Sequence, residues 1–247
     1  MSARLTFAVP SKGRLMEQTA DFLAESGLKL KKVGHDRGYR GEIEGLDGID
    51  VAFISASEIV SALNSGRAHI GVTGEDLIRE NIVDADTRVT LLKPLGFGRA
   101  DVVVAVPSCW IDVNAVADLE AAAVAFRREH GRPFRVATKY LNLARRFLSG
   151  KGIADYRIVE SLGATEGAPA TGAADLIVDI TTTGATLRDN GLKILDDGLI
   201  LRSEACLVAS LTATWTERQR AVLDTLLGRL DRRAAKRAGK LLAPAQG

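Results

Sequence analysis

Cysteine is nearly absent from this chain: Cys109 and Cys206 are the only two in 247 residues. A single pair cannot build the disulfide framework of a small secreted domain. Both lie in apolar, strand-like runs, which predicts core thiols in a reducing compartment. Histidine is as scarce, and His35, His69 and His130 show no ligand spacing, which argues against a zinc site. No segment approaches the roughly 18–20 unbroken apolar residues of a membrane span. The opening "MSARLTFAVPSKGRL" has no apolar core after Arg4, so it does not read as a signal peptide. A cytoplasmic protein without membrane contact is expected. Net charge is only +2, so no overall field favours nucleic acid. The basic residues that cluster in "RLDRRAAKRAGK" (Arg229 to Lys240) have no interleaved aromatics and read as the solvated face of a terminal helix. There is neither a G-x-S-x-G elbow nor a G-x-x-x-x-G-K-[ST] loop, and no residue stands out as a covalent nucleophile.

What is present is an ordinary globular composition, 46% hydrophobic and 26% charged, with 24 glycines against 5% aromatics. That balance predicts tight turns and close backbone approaches. Short apolar runs alternate with amphipathic stretches. "RLTFAV" (4–9), "DVAFI" (50–54), "AHIGV" (68–72), "RADVVVAV" (99–106), "FRVAT" (134–138), "YRIVE" (156–160), "ADLIVD" (174–179) and "EACLVAS" (204–210) read as strands. Helices are expected from about Gly13 to Ser26, over "SEIVSALNSG" with Ser55 or Ser57 as cap, and from Thr216 onward. Such alternation predicts an α/β fold with mainly parallel sheets. One internal echo joins "SGRAHIGVTGEDLIREN" (65–81) to "TGAADLIVDITTTGATLRDN" (171–190). Each runs from glycine through a strand and a Gly-containing turn to a helix ending in Asn, a plan that fits two α/β lobes around a central cleft.

Two turns carry the chemistry. In "DITTTGATL" (179–187) a buried strand runs into an acid, three threonines, a glycine and a fourth threonine. A helix following this turn would present unpaired N–H groups and about half a positive charge, which is a setting for phosphate. Gly184 lets the backbone curl, and the hydroxyls of Thr182, Thr183 and Thr186 add donors. Asp179 is too acidic to meet that phosphate and suits sugar hydroxyls, so the loop fits a ribose 5-phosphate. A plain Thr-capped helix is the alternative. In "SKGRL" (11–15) Lys12 and Arg14 flank Gly13 before a helix, where cations oppose the dipole unless an anion is present. "HDRGYRGEIEG" (35–45) with Arg37 and Arg40 is either an exposed basic hairpin or a mobile arm over phosphates. Lys139 in "ATKY" (137–140) reads as solvated.

At this point the blocks resemble a known family. "DLIVDITTTGATLRDNGL" (175–192) with "ESLGATEGAP" (160–169), "VPSKGRL" (9–15), "GVTGEDL" (71–77) and "VATKYLNLARRFL" (136–148) are similar, in order, to the ATP phosphoribosyltransferases. The chain resembles their short form. The resemblance implies a type II periplasmic-binding-protein-like fold, with lobe I over 1–94, residues 197–247 returning to it, and lobe II over 95–196. It implies transfer of the 5-phosphoribosyl group of phosphoribosyl pyrophosphate (PRPP) to N1 of ATP with release of pyrophosphate, the first step of histidine biosynthesis, with Mg²⁺. Glu166, Asp179, Thr181, Thr182, Thr183, Gly184, Ala185 and Thr186 would bind PRPP. Lys12, Gly13 and Arg14 would meet ATP and pyrophosphate, with Arg14 and Arg40 catalytic and no protein-bound metal. A homo-oligomer, and a regulatory subunit resembling histidyl-tRNA synthetase, are the implied partners. Four positions depart from the family pattern: His69 stands for an acid, Ser55 for a basic residue, Leu141 for proline and Thr182 for an acid.

Two other readings remain. A solute-binding module would sense an anion without chemistry, although two phosphate-suited turns exceed the needs of a simple amino-acid sensor. A nucleobase phosphoribosyltransferase of the other major fold would place paired acids before its loop, whereas Val178 precedes Asp179 here.

Overall fold

The computed structural model describes residues 4–33, 39–231 and 238. In chain order its elements are β1 (Leu5–Pro10), α1 (Gly13–Glu25), β2 (Lys29–Lys32), β3 (Arg40–Glu44), β4 (Leu46–Ile54), α2 (Ala56–Asn64), β5 (Ile70–Gly74), α3 (Glu75–Asn81), α4 (Ala85–Arg88) and β6 (Val89–Pro94). They continue with β7 (Ala100–Pro107), α5 (Val116–His130), β8 (Phe134–Thr138), α6 (Leu141–Gly150), β9 (Tyr156–Glu160), β10 (Leu176–Thr181), α7 (Ala185–Asp189), β11 (Leu192–Ser203), β12 (Ala205–Ser210) and α8 (Glu217–Leu230). Two compact units result, Met1–Gly98 with Glu204–Gly247, and Arg99–Ser203. Among the described residues no helix is long and apolar enough to cross a membrane.

The first unit holds a sheet ordered β2-β3-β4-β1-β5-β12-β6. β1 is a continuous apolar run because both its faces are covered. Leu5, Phe7 and Val9 meet Leu23 of α1 and Leu223, Leu226 and Leu227 of α8. On the other face Ala8 packs with Ile59 and Leu63 of α2 and Ile78 of α3. Each large side chain buried this way contributes roughly 1.5–3 kcal/mol. The second unit repeats the scheme in a sheet ordered β11-β7-β10-β8-β9. Val102, Val104 and Val106 of β7 enter one core, while Val103 and Ala105 enter the other.

The sheets are mixed rather than mainly parallel. β1 pairs in parallel with β4 and β5, and β8 with β10 and β9. β12 pairs antiparallel with β5, β3 with β4 and β7 with β10, and β11 in turn runs antiparallel to β7. Alternation of strand and helix locates the parallel pairs but says nothing of strands that return without a helix. The segment around "HDRGYRGEIEG" is one such case. β2 and β3 form an antiparallel pair, with Gly41 pressed so close that a Cβ there would collide with the Lys31 carbonyl and the Phe53 ring. His35 and Arg37 lie outside the described residues, as does most of the basic run beyond Asp231.

The thiol expectation holds for one cysteine and fails for the other. Cys206 is buried in β12 and burial pushes its pKa up to about 12. Cys109 is exposed, because β7 ends at Pro107 and the chain leaves the sheet there.

Ser55 and His69 both have structural employment. Ser55 caps α2: its Oγ accepts the Glu58 N–H at 3.3 Å and the Glu58 carboxylate accepts the Ser55 N–H at 2.9 Å. His69 sits just before β5, at the end of the parallel strands opposite the one where β1 leads into Lys12. Its Nδ1 accepts the Thr6 N–H at 3.1 Å, which leaves the proton on Nε2 to be donated to the Thr214 carbonyl at 3.3 Å. The Trp215 ring packs edge-on at 5.0 Å. Burial is the main cause that lowers the His69 pKa. An unfolded histidine titrates near about 6.5, so below that pH the unfolded chain takes up a proton that the folded one refuses. Stability is therefore intact above about pH 7 and falls as the pH drops towards the folded pKa. Urea unfolding between pH 7.5 and 5.5 checks this: the loss of free energy in the wild type should be visibly smaller in His69→Asn, whose amide oxygen can still accept from Thr6.

Candidate active site

β10 positions the site. Its first half, Leu176 to Val178, is buried between β7 and β8, and Asp179 is the first polar residue where cover thins. The strand carries an aspartate near each end, in opposite electrostatic states. Asp175, just before it, would be raised by burial alone, but Arg132 and Arg135 hold its carboxyl far below the ordinary range. Arg132 does so with two bonds of 2.6 and 3.0 Å. Asp179 has no such clamp. Its Oδ1 accepts the Ile180 N–H at 2.8 Å, yet burial dominates and raises its pKa, with the Lys139 charge opposing and the Glu166 charge adding to the rise.

The turn after β10 is knit by its own hydroxyls. Thr181 Oγ1 accepts the Gly184 N–H at 2.8 Å and Thr183 Oγ1 accepts the Ala185 N–H at 3.3 Å. The Thr182 hydroxyl donates to the Arg99 carbonyl at 3.3 Å, and Arg188 Nη1 donates to the Thr183 carbonyl at 3.1 Å. Gly184 adopts φ +71°, a conformation only glycine takes without strain. The helix that follows is short and ends in Asn as the echo implied: α7 has five residues and stops at Asn190, because Gly191, at φ +69°, turns the chain into β11. A helix of this length cannot build up a sizeable macrodipole. Any anion here would be held by individual N–H and hydroxyl groups.

Glu166 arrives from a 3₁₀ turn at Thr165–Gly167. The turn is fixed by Ala164 at φ +49°, by buried Thr165, and by a 3.0 Å bond from the Thr165 hydroxyl to that of Ser161. Glu166, Asp179, Thr181, Thr182, Thr183 and Thr186 line one cavity of about 350 Å³, with Ala100 and Leu187 among the apolar walls. Gly184 and Ala185 shape it from behind without lining it. Volume does not identify this site. Larger hollows in the same unit lie against α6 and β9, about 670 Å³, and around Trp110 and Phe126, about 480 Å³. Only the smaller one joins carboxylates to a row of hydroxyl and N–H donors.

In the first unit Lys12 is the N-cap of α1 and Gly13, at φ +76°, is its first residue. Lys12, Gly13 and Arg14 are exposed, the cap makes no side-chain hydrogen bond, and the first turn has no acid. Arg40 stands on β3, paired with Ala52 of β4, two strands from β1. It is exposed and close in sequence to residues outside the described set. Missing from the expected set is Lys139, whose charge reaches Asp179 although its side chain is solvated as anticipated. The signal was its place at the end of a strand beside β10.

By class this is an α/β protein of the type II periplasmic-binding-protein fold. A mutant ArgBP from Thermotoga maritima superposes with a TM-score of 0.50 at 13% identity, covering 97% of this chain and 92% of that one, a likeness of fold alone. Sequence comparison goes further. The family model described as HisG: ATP phosphoribosyltransferase matches residues 55–232. An ATP phosphoribosyltransferase of Bradyrhizobium diazoefficiens is 60% identical over 234 residues, 95% of this chain and 72% of the relative. One from Rhodopseudomonas palustris is 60% identical over 240 residues, 97% and 73% respectively. A solved ATP phosphoribosyl transferase (HisG:HisZ) complex from Thermotoga maritima matches with a TM-score of 0.68 and 27% identity, covering 94% of this chain and 99% of that one. The chain belongs to the ATP phosphoribosyltransferase family.

Gly184→Ala tests the turn. Its Cβ would lie 3.0 Å from Arg188 Nη1 on a backbone at φ +71°, a strain of about 1–2 kcal/mol. Thermal unfolding, read by calorimetry, should drop by only a few degrees.

Proposed function

We propose that this chain transfers the 5-phosphoribosyl group of PRPP to N1 of ATP and releases pyrophosphate, the first step of histidine biosynthesis, in the cytoplasm. The observation that carries this reading is the half-buried carboxylate of Asp179 beside the Thr–Gly turn, with Glu166 on the same cavity, in a member of this family. The turn suits the 5-phosphate: the Thr183 and Thr186 hydroxyls are donors on its cavity face. Asp179 and Glu166 are assigned to the ribose hydroxyls as acceptors.

In the reaction the C1–O bond to pyrophosphate breaks with its electron pair leaving on oxygen, and N1 of the adenine forms the new bond to C1. The sugar passes through a state with positive character at C1, which the two carboxylates favour electrostatically, and the leaving group gains negative charge. Lys12, Gly13 and Arg14, with Arg40, are assigned to the phosphates of ATP and the departing pyrophosphate. Holding both reactants in register and keeping water away supplies much of the remaining advantage. No covalent nucleophile is required.

The donor chemistry fits Mg²⁺, which keeps waters and needs one or two carboxylates plus substrate phosphates; Glu166 and Asp179 are the carboxylates lining the cavity. Among the described residues no cluster of three or more His, Cys, Asp or Glu could hold a metal, so the ion would arrive on the substrates. When bound it would neutralise charge on the leaving pyrophosphate. We also propose assembly with itself and with a second kind of subunit. The support is the Thermotoga maritima neighbour, which is a HisG:HisZ complex.

Purified protein mixed with ATP, PRPP, Mg²⁺ and pyrophosphatase should show the absorbance change of an N1-ribosylated adenine. Free nucleobases in place of ATP should give none. Arg14→Ala should lower kcat/KM by about a hundredfold or more, as loss of a donor to developing charge does. No product, even with a histidyl-tRNA-synthetase-like subunit added, would overturn the proposal and leave a binding protein.

A further inference from the structure

The peptide between Thr183 and Gly184 is held from both sides. Thr181 Oγ1 accepts its N–H at 2.8 Å, and Arg188 Nη1 donates to its carbonyl at 3.1 Å. In a trans peptide the two groups point in opposite directions. Thr181 lines the cavity, whereas Arg188 is not among the lining residues. The carbonyl, a group that repels anions, is therefore directed at Arg188 and away from the Thr181 side of the turn.

Arg188 is itself firmly placed. Its backbone N–H donates to the Gly184 carbonyl at 3.0 Å, and its carbonyl accepts the Gly191 N–H at 2.9 Å. Leu187 beside it is buried with Val103, Ala105 and Ile177. One residue thus meets two successive carbonyls of the turn, those of Thr183 and Gly184. Among the described residues the Arg188 side chain makes no ion pair, and its hydrogen bond goes to the Thr183 carbonyl.

This peptide needs such a hold. Gly184 sits at φ +71°, and glycine takes positive and negative φ about equally readily. Rotating the peptide that precedes a turn glycine interchanges two common turn forms, which differ in where that carbonyl points. The rotated form would send the Thr183 carbonyl to the Thr181 hydroxyl, a group that can donate as well as accept. An oxygen would then stand in place of the Gly184 N–H, on the side of the turn where Thr181, Thr183 and Thr186 line the cavity. A phosphate would meet repulsion there.

We propose that Arg188 is a positioning residue for PRPP: it holds the Thr183–Gly184 peptide with its carbonyl turned from the 5-phosphate and touches no ligand itself. This rests on the function proposed above. A positive charge acting through space would also favour an anion, and the two roles differ in the empty protein. The hold acts before any ligand arrives, so its loss frees the peptide and unpairs the Gly184 N–H. A charge at a distance leaves that N–H on Thr181.

Arg188 is exposed, so Arg188→Met and Arg188→Lys should unfold at the wild-type temperature. Both should be compared with the wild type in PRPP titration calorimetry, in steady-state turnover, and in hydrogen exchange at the Gly184 amide read by NMR. Arg188→Met should raise Kd and KM for PRPP by about tenfold, the scale of one hydrogen bond to a charged group. The effect on kcat and on KM for ATP should be smaller. Exchange at Gly184 should quicken in the ligand-free variant, and Arg188→Lys, which keeps a donor on a long stem, should restore much of both. Unmoved PRPP affinity would overturn the inference, and so would a loss of affinity with Gly184 exchange still at the wild-type rate. If the wild type binds PRPP but forms no product, the transferase reading fails, and binding and exchange still decide the role of Arg188. No PRPP binding by the wild type would sink both.

Discussion

Strands covered on both faces have no place for a polar side chain except at their ends. β1, β7 and β10 are all of this kind, and that constraint organises both units. Along β10 the side chains from Leu176 to Val178 must be apolar because one core lies above and another below. Where cover ends, the polar residues arrive together, first Asp179 and then the threonines. β1 behaves likewise, passing from Val9 and Pro10 to Ser11 and Lys12 within a few residues. The chemistry sits at strand ends because the cores exclude it elsewhere.

The electrostatics of the second unit follow from how each carboxylate is attended. Asp175 and Asp179 lie four residues apart in sequence, yet two guanidiniums clamp the first, and the second accepts one short bond from the Ile180 N–H beside it. Clamped, Asp175 is a fixture that ties the start of β10 to the start of β8. Unclamped, Asp179 keeps lone pairs for a ligand and stays sensitive to whatever charge stands nearby. The brevity of α7 sharpens this. Without a long helix dipole behind the turn, the field in the cavity is set by a few discrete groups, each open to substitution.

Much of this was legible in the sequence because apolar runs announce central strands. The echo between residues 65–81 and 171–190 marked strands with the same topological role. β5 has β1 parallel on one side and β12 antiparallel on the other, and β10 has β8 and β7 in the same two relations. What stayed hidden depended on pairing rather than pattern. β2 is short, with "KLKK" almost wholly exposed, so no periodicity betrays it. The influence of the Lys139 charge on Asp179 was invisible because it depends on β8 and β10 lying side by side. His69 and Ser55, odd against the family pattern, are explained by a backbone N–H acceptor and a helix cap.

The second unit is an insertion within the first, entered after Gly98 and left before Glu204. β12, which follows it, lies between β5 and β6, both of which precede it. The two crossings run side by side, with the Ala205 N–H on the Phe97 carbonyl at 3.0 Å. On the ribosome, β5 and β6 therefore emerge with a gap between them that stays open until the whole of Arg99–Ser203 has been made. The later unit can close its own sheet at once, since all five of its strands are contiguous in the chain. The unit that is made first is thus the one that must wait to be finished, with its central apolar edge held open through the synthesis of the other.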